Sequence, residues 1–136
     1  MELTAIAREV FLQDRYATEA TGIHIAYAGD HESECTLELD DRHCNARGAA
    51  MGGVLYTLAD FASAVAANSD DLEEGTLHWV SLDASIHYLA PAVGRKLVAG
   101  CKPLKTGRTT SLYQTTIQNP DNGKVVAIVE TTMVRV

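Results

Sequence analysis

At 136 residues the chain has the length of one domain, so residues 1–136 are expected to form a single unit around one core. Hydrophobic residues at 46% and charged residues at 21% exclude a disordered or low-complexity chain, and an aromatic share of 6% leaves a core built from Ala, Val, Leu and Ile. The 11 basic and 18 acidic residues give a net charge of −7, which argues against a nucleic-acid or anionic-membrane binder, since both draw affinity from phosphate neutralisation.

In chain order, Leu3, Ile6 and Val10 at helical spacing predict an amphipathic helix over Leu3–Tyr16. Ile23, Ile25 and Tyr27 alternate with His24 and Ala26, as Cys35, Leu37 and Leu39 do with polar neighbours, and Gly29-Asp30-His31 between them reads as a hairpin turn. Asp40–Gly48 is polar and irregular. A long apolar helix is expected from about Ala50 to Asn68, followed by the acidic loop Asp70–Gly75. Strand patterns then run over Leu77–Leu89, Lys96–Leu104, Thr109–Gln118 and Lys124–Val134, with turns at Gly107 and Asn119–Gly123. Strand runs without alternating helices predict an α+β layer, an antiparallel sheet of five or six strands covered by the single long helix.

Cys35, Cys44 and Cys101 form no CxxC pair and read as reduced thiols of a cytoplasmic protein; the N-terminus shows no basic and apolar leader pattern. His24, His31, His43, His78 and His87 show no i,i+4 pairing, read as surface or strand-filling residues, and suggest no metal site. Gly48–Ala67 is apolar enough to suggest a membrane span, but Asp60 in its middle costs about 2.5–3.5 kcal/mol on insertion scales, so a buried helix of a globular protein is expected.

Asp60 is the only charged residue between Gly48 and Ala67. Gly53, Ala64 and Ala67 on its helical face leave room beside the carboxylate. It reads either as a structural carboxylate, capping a loop or paired with Arg, or as a catalytic carboxylate on an apolar wall. Gly52 and Gly53 open the helix, either for close packing against the sheet or to let a ligand approach free N–H groups, which form an oxyanion site.

The run Asn45-Ala46-Arg47-Gly48-Ala49-Ala50-Met51-Gly52-Gly53-Val54-Leu55-Tyr56-Thr57-Leu58-Ala59-Asp60 resembles the N-x-x-G-x-x-H-G-G-x-x-x-x-L-x-D motif of hotdog-fold acyl-CoA thioesterases of the PaaI-like branch. Asp14-Arg15-Tyr16, Tyr88-Leu89-Ala90-Pro91 and Lys105-Thr106-Gly107-Arg108 extend the similarity along most of the chain. The resemblance implies a hotdog fold and hydrolysis of a small, medium-chain or aromatic acyl-CoA, with no cofactor beyond the CoA of the substrate. It implies a homodimer, or a dimer of dimers, with sites across the subunit interface. By the same resemblance Asp60 is the nucleophile or base, Gly52 the oxyanion donor, Asn45 the group that orients carbonyl or water from the opposite subunit, and Ser81 a strand serine assisting water. Gly53, Met51 and Tyr56 would lie along the substrate.

The motif histidine is Met51 here. If that position only shapes the helix N-terminus, the backbone donors survive; if it bonds the substrate, activity falls or the chain is a non-catalytic acyl-CoA-binding protein. A dehydratase reading is weaker, because that chemistry wants a histidine in the helix motif. Between Asp83 and Asp121 no acidic residue occurs, while Arg95, Lys96, Lys102, Lys105 and Arg108 supply five of the 11 basic residues. That stretch is either a solvated sheet edge or, with Lys105, Gly107 and Arg108 in a turn, the landing area for the CoA phosphates.

Overall fold

The computed structural model describes residues 2–136. Helix α1, Leu3–Phe11, starts where the Glu2 side chain accepts the Ala5 N–H at 3.1 Å, and it buries Thr4, Ala7 and Phe11. It stops short of the expected Tyr16. The next core-facing positions in helical phase are Asp14 and Arg15, whose charges have no place in an apolar layer. The chain instead re-enters the core through a π-helical turn, Tyr16–Thr21, which buries Ala17 and Thr21 and closes on Gly22 at φ +92°.

Strand β1, Ile23–Gly29, buries Ile23 and Ile25 as the alternation predicts, but a bulge between Ile25 and Tyr27 reverses the phase. Tyr27, expected inside, is exposed and Ala28 takes its place. The hairpin turn falls on Asp30 and His31, with φ of 52° and 59°, the left-handed pair that a two-residue hairpin loop requires. Strand β2, Glu32–Glu38, turns Cys35 and Leu37 inward.

Helix α2 spans Gly52–Asn68, and β3 (Trp79–Tyr88), β4 (Lys96–Lys105), β5 (Thr110–Gln118) and β6 (Val125–Arg135) follow. The six strands form one antiparallel sheet in the order β1-β2-β4-β5-β6-β3. Leu58, Ala62 and Val65 of α2 are fully buried, as are Leu37, Leu97, Ala99 and Ile117 of the strands beneath them. Alanines on the buried side of α2 let the sheet approach closely; the Ser33 hydroxyl reaches the Ala62 carbonyl at 2.7 Å. This is the hotdog fold, one central helix wrapped by a six-stranded sheet.

The far end of α2 is pinned by Asn68, which is 1% exposed. Its amide donates to the carbonyls of Ala64 (2.9 Å) and Trp79 (3.1 Å) and accepts from the N–H groups of His78 (2.9 Å) and Trp79 (3.0 Å). The helix is thereby tied to the start of β3. Asn68→Ala would orphan two partly buried N–H groups, and we expect a loss of about 2–4 kcal/mol in unfolding free energy, read by urea denaturation.

Strand β3 occupies one edge of the sheet and carries Val80 and Leu82 exposed, with Tyr88 and Leu89 at its end equally so. A bulge between Ser81 and Asp83 keeps Ser81 opposite the buried Met133 of β6 while Ala84 pairs with the buried Thr131, so Ser81, Ala84, Ile86 and Tyr88 share the helix-facing side.

Candidate active site

The segment before α2 is built around His43. A capping box at Asp40 starts a short 3-10 turn, Asp41–His43, and the His43 ring is 2% exposed. Its Nδ1 accepts the Asp40 N–H at 3.0 Å, and its Nε2 lies 2.6 Å from the Thr21 carbonyl. That pair of partners fixes the tautomer with the proton on Nε2. His43 is therefore a buried loop anchor, where a surface or strand-filling histidine was expected; the polar loop, which supplies no apolar core of its own, uses the ring as its packed centre.

The His43 carbonyl in turn accepts the Met51 N–H at 2.8 Å. Asn45 organises the rest: its Oδ1 accepts from the N–H groups of Arg47 (2.8 Å) and Ala49 (3.2 Å), leaving its Nδ2 without an acceptor among the described residues. Gly48, at φ +85°, permits that tight return.

Met51 precedes α2 in extended conformation, is 51% exposed and makes no capping hydrogen bond. The first helical amide to find a protein acceptor is that of Val54, which bonds the Met51 carbonyl at 2.9 Å. The N–H groups of Gly52 and Gly53 donate to nothing among the described residues. The two glycines differ in surroundings. A Cβ on Gly52 would stand 3.0 Å from the Tyr88 ring, whose hydroxyl donates to the Gly52 carbonyl at 3.2 Å; beside Gly53 there is open space. Close packing thus accounts for Gly52, and accessibility for Gly53. This helix end, with Asn45, Leu55, Tyr88 and Pro91, lines a cavity of about 690 Å³. Tyr56 stands one turn further along, partly exposed.

Asp60 lines a different, smaller cleft of about 290 Å³ with Asp14, Tyr16 and Thr57. The Ser81 hydroxyl donates to Asp60 Oδ1 at 3.3 Å and also lies 3.6 Å from the Met133 sulfur. Asp60 is exposed by surface area in the single chain, yet the apolar neighbours of the cleft desolvate its carboxylate and push its pKa up, an effect the Ser81 hydrogen bond partly offsets. It pairs with no Arg: the adjacent Arg15 bonds Glu19 at 2.9 Å, so the structural alternative of an ion-paired carboxylate is not realised.

Gly52 and Asp60 lie eight positions apart on the helix, about 12 Å along the axis. The structure thus joins Ser81 to Asp60 and Asn45 to the helix N-terminus, but within one chain it does not join these two groups. Lys105, Gly107 and Arg108 form the β4–β5 turn, with both cations exposed and outside any ion pair among the described residues. Gly107 is obligatory, because a Cβ there would meet the Thr110 carbonyl oxygen at 2.3 Å. The turn shares an end of the sheet with Ser81: Ser111 pairs with Met133, and Met133 with Ser81.

Two side chains at these clefts carry no sequence assignment. Tyr88 could have been singled out as an inward aromatic before Leu-Ala-Pro; Asp14 could have been noticed only as a charge in the buried phase of α1. No three His, Cys, Asp or Glu residues converge on a metal site among the described residues, and no helix there is long and apolar enough to cross a membrane.

The sequence model of the thioesterase superfamily matches residues 47–126, more than half of the chain. Over 94 residues the chain is 33% identical to human acyl-coenzyme A thioesterase 13, covering 68% of this chain and 65% of that one. It is 37% identical over 95 residues to a protein of Archaeoglobus fulgidus, where the match covers 69% of this chain and 58% of the relative. The structure of a variant of the phenylacetic acid degradation protein PaaI from Thermus thermophilus superposes with a TM-score of 0.77 at 28% identity, covering 88% of this chain and 97% of that one. The chain belongs to the thioesterase superfamily, in its PaaI-like hotdog-fold branch.

Proposed function

We propose that the protein hydrolyses an acyl-CoA thioester to the free acid and CoA, in a homodimer whose sites each combine Asp60 of one subunit with the α2 N-terminus of the other. The observation that carries this reading is the pairing of a desolvated, serine-bonded carboxylate with a helix N-terminus whose first two amides have no protein acceptor, on one helix but about 12 Å apart. An isologous dimer supplies what a single chain lacks. If two β3 edges pair antiparallel about an axis near Ala84 and Ser85, Ser81 of one subunit exchanges places with Tyr88 of the other. Asp60, bonded to Ser81, then faces the Gly52 that Tyr88 touches. Such pairing also satisfies a bare edge that exposes Val80 and Leu82.

In this arrangement the thioester carbonyl lies against the Gly52 N–H, with the Asn45 Nδ2 as a second donor. Asp60 takes the proton of a water oriented by Ser81, the water oxygen bonds the carbonyl carbon, and the C–S bond breaks with its electron pair leaving on sulfur. A thiolate leaves without a strong acid, its solution pKa being near 8.5, and it collects its proton from solvent or from Asp60. Direct attack by the Asp60 carboxylate, followed by hydrolysis of the anhydride, uses the same groups. The acyl group occupies the cavity lined by Gly52, Leu55 and Tyr88; about 690 Å³ admits small, medium-chain or aromatic acids. Cytoplasmic residence accords with the location of CoA thioesters, and a dimer of dimers is compatible with the same β3 pairing. The test is release of both CoA and free acid over a panel of acyl-CoAs; absence of turnover at every chain length would refute hydrolysis.

Met51 favours one competing reading, an acyl-CoA-binding protein without turnover. The exposed thioether makes no bond to the helix end, so the amide donors persist without the motif histidine. Tight acyl-CoA binding with no hydrolysis, in the wild type and in Met51→His alike, would establish that alternative.

The CoA phosphates are assigned to Lys105 and Arg108, which flank the β4–β5 turn two to three strands (about 10–14 Å) across the sheet from Ser81 and at the same end. This contact is remote from the reacting carbon, so Arg108→Ala is expected to raise KM about 5- to 100-fold with kcat nearly unchanged, the loss shrinking in salt. A pantetheine thioester lacking the phosphates is expected to be indifferent to the substitution; equal losses on both substrates would place Arg108 elsewhere.

A further inference from the structure

The first turn of α2 lacks the devices that ordinarily hold a helix start. Met51 offers no side-chain cap, and glycines, the residues of widest conformational freedom, fill the first two positions. An oxyanion site needs the reverse, donors fixed before the charge develops. The chain leading in is held: the Ala50 N–H reaches the Ala92 carbonyl at 2.9 Å, and the Met51 N–H the His43 carbonyl at 2.8 Å. The helix is held from Val54 onward, whose N–H bonds the Met51 carbonyl at 2.9 Å. Between these points each glycine carbonyl takes a side-chain hydroxyl. Thr57 donates to Gly53 at 2.8 Å, the usual back-bond of a helical threonine to the residue four before it. The other donor is not local. Tyr88, 36 positions away at the end of β3, donates to the Gly52 carbonyl at 3.2 Å. Its ring also presses on Gly52, where a Cβ would meet Cζ and Oη at 3.0 Å and Cε1 at 3.2 Å. Tyr88 is itself anchored. It pairs with Ala127 of β6, and the next two amides, of Leu89 and Ala90, donate to the Val126 carbonyl at 2.9 and 3.3 Å. The tyrosine is exposed, so this contact is no by-product of core packing.

We propose that Tyr88 is a positioning residue of the oxyanion site, whose hydroxyl holds the Gly52–Gly53 peptide in the orientation that presents its N–H to the thioester oxygen. The proposal rests on the assignment of the α2 N-terminus as the carbonyl site and deepens it. A peptide unit is planar, so a bond to the Gly52 carbonyl at one end fixes the direction of the Gly53 N–H at the other. That N–H has no acceptor among the described residues, and open space lies beside Gly53. The same hydrogen bond polarises the peptide, and a peptide whose carbonyl accepts is the stronger donor at its N–H. The ring, packed on Gly52, narrows the torsions of that residue and so holds the Gly52 N–H alongside. The glycine pair and the tyrosine therefore work as one unit. The missing Cβ of Gly52 lets the ring come close, and the ring supplies the rigidity that the glycines lack.

The test places Tyr88→Phe in the wild type and in Asp60→Asn and takes two readouts. Phe keeps the ring and removes only the hydroxyl of an exposed side chain, so Tm is expected to stay at its parent's value. In turnover, Tyr88→Phe is expected to lower kcat about 3- to 10-fold with KM within about twofold of wild type, the effect of one neutral hydrogen bond felt in the transition state. In binding, an acyl-CoA isotopically labelled at its carbonyl carbon is added to Asp60→Asn, and its infrared carbonyl band is expected below its position in water. In the double variant Asp60→Asn, Tyr88→Phe the band is expected to move back toward that position. An unchanged kcat with an unmoved band overturns the role of Tyr88, as does a rise in KM alone, which would make the tyrosine a plain contact of the acyl group. A kcat that falls together with Tm while the band stays in place makes Tyr88 structural and also overturns the proposal. A band in Asp60→Asn no different from that in water removes the carbonyl from the helix end, and this proposal with it, without touching hydrolysis. Absence of turnover in the wild type, with a band that still relaxes on Tyr88→Phe, refutes hydrolysis and leaves the tyrosine holding the donors of a binding site.

Discussion

Asp60→Asn is expected to lower kcat by about 10²–10⁴-fold while leaving the fold and acyl-CoA binding intact. The amide keeps the volume and can still accept the Ser81 hydroxyl that now reaches Oδ1 at 3.3 Å, but it neither takes a proton from water nor attacks a carbonyl. Nothing structural is lost with the charge, because Asp60 forms no ion pair among the described residues and its carboxylate is desolvated. The sign of the stability effect follows from that desolvation. A carboxyl whose folded pKa lies above its unfolded value destabilises the fold once pH exceeds the unfolded pKa, and the cost is fully developed above the folded one. At neutral pH the variant is therefore expected to melt at the wild-type temperature or slightly above it, as is common where a site is built at the expense of stability. The same raised pKa places the acid limb of wild-type activity above the range of an ordinary aspartate, with activity falling as Asp60 is protonated. An Asp60→Asn protein with near-normal turnover would make the carboxylate structural, and one that loses both turnover and Tm would make it part of the packing.

The long helix and the succession of strands along the chain were legible for simple physical reasons, whereas the order of strands in the sheet was not. From Gly52 to Asn68 the apolar residues cover more than one face, and acidic residues crowd the loop that follows, so a buried helix had no competitor. Period-two alternation marked β2, while strand-rich runs bounded by turn residues marked β4, β5 and β6. Asp60 stood out because a lone charge on such a helix demands an explanation. The failures are of another kind. The bulge at Ala26 reverses β1 without any change in composition, and Tyr27 moves outside. The early end of α1 depends on which face meets Phe61, whose ring packs edge-on against Phe11 at 5.7 Å, and that is a tertiary fact. His43 reads as an ordinary loop histidine until the Thr21 carbonyl is brought to it from a different segment. The partnership of Asp14 with Asp60, and of Tyr88 with Gly52, joins residues 46 and 36 positions apart, beyond the reach of any local pattern.

The separation of Asp60 from Gly52 is the feature on which the whole account turns. One chain holds the carboxylate in a cleft of about 290 Å³ and the free amides in a cavity of about 690 Å³, and a single carbonyl cannot touch both. If the working site takes one half from each subunit, two inactive proteins can repair each other. An Asn45→Ala subunit keeps a sound Asp60, and an Asp60→Asn subunit keeps a sound Asn45, so their heterodimer contains one complete site and one doubly damaged site. Random exchange of equal amounts makes half of the dimers mixed, and the activity recovered is then about a quarter of wild type. The decisive measurement is thioester hydrolysis by the two variants denatured together and refolded as a mixture, set beside each refolded alone. Recovery near one quarter, from parents that are each nearly inert, is the predicted result; a mixture no more active than the average of its parents would contradict a site shared between subunits.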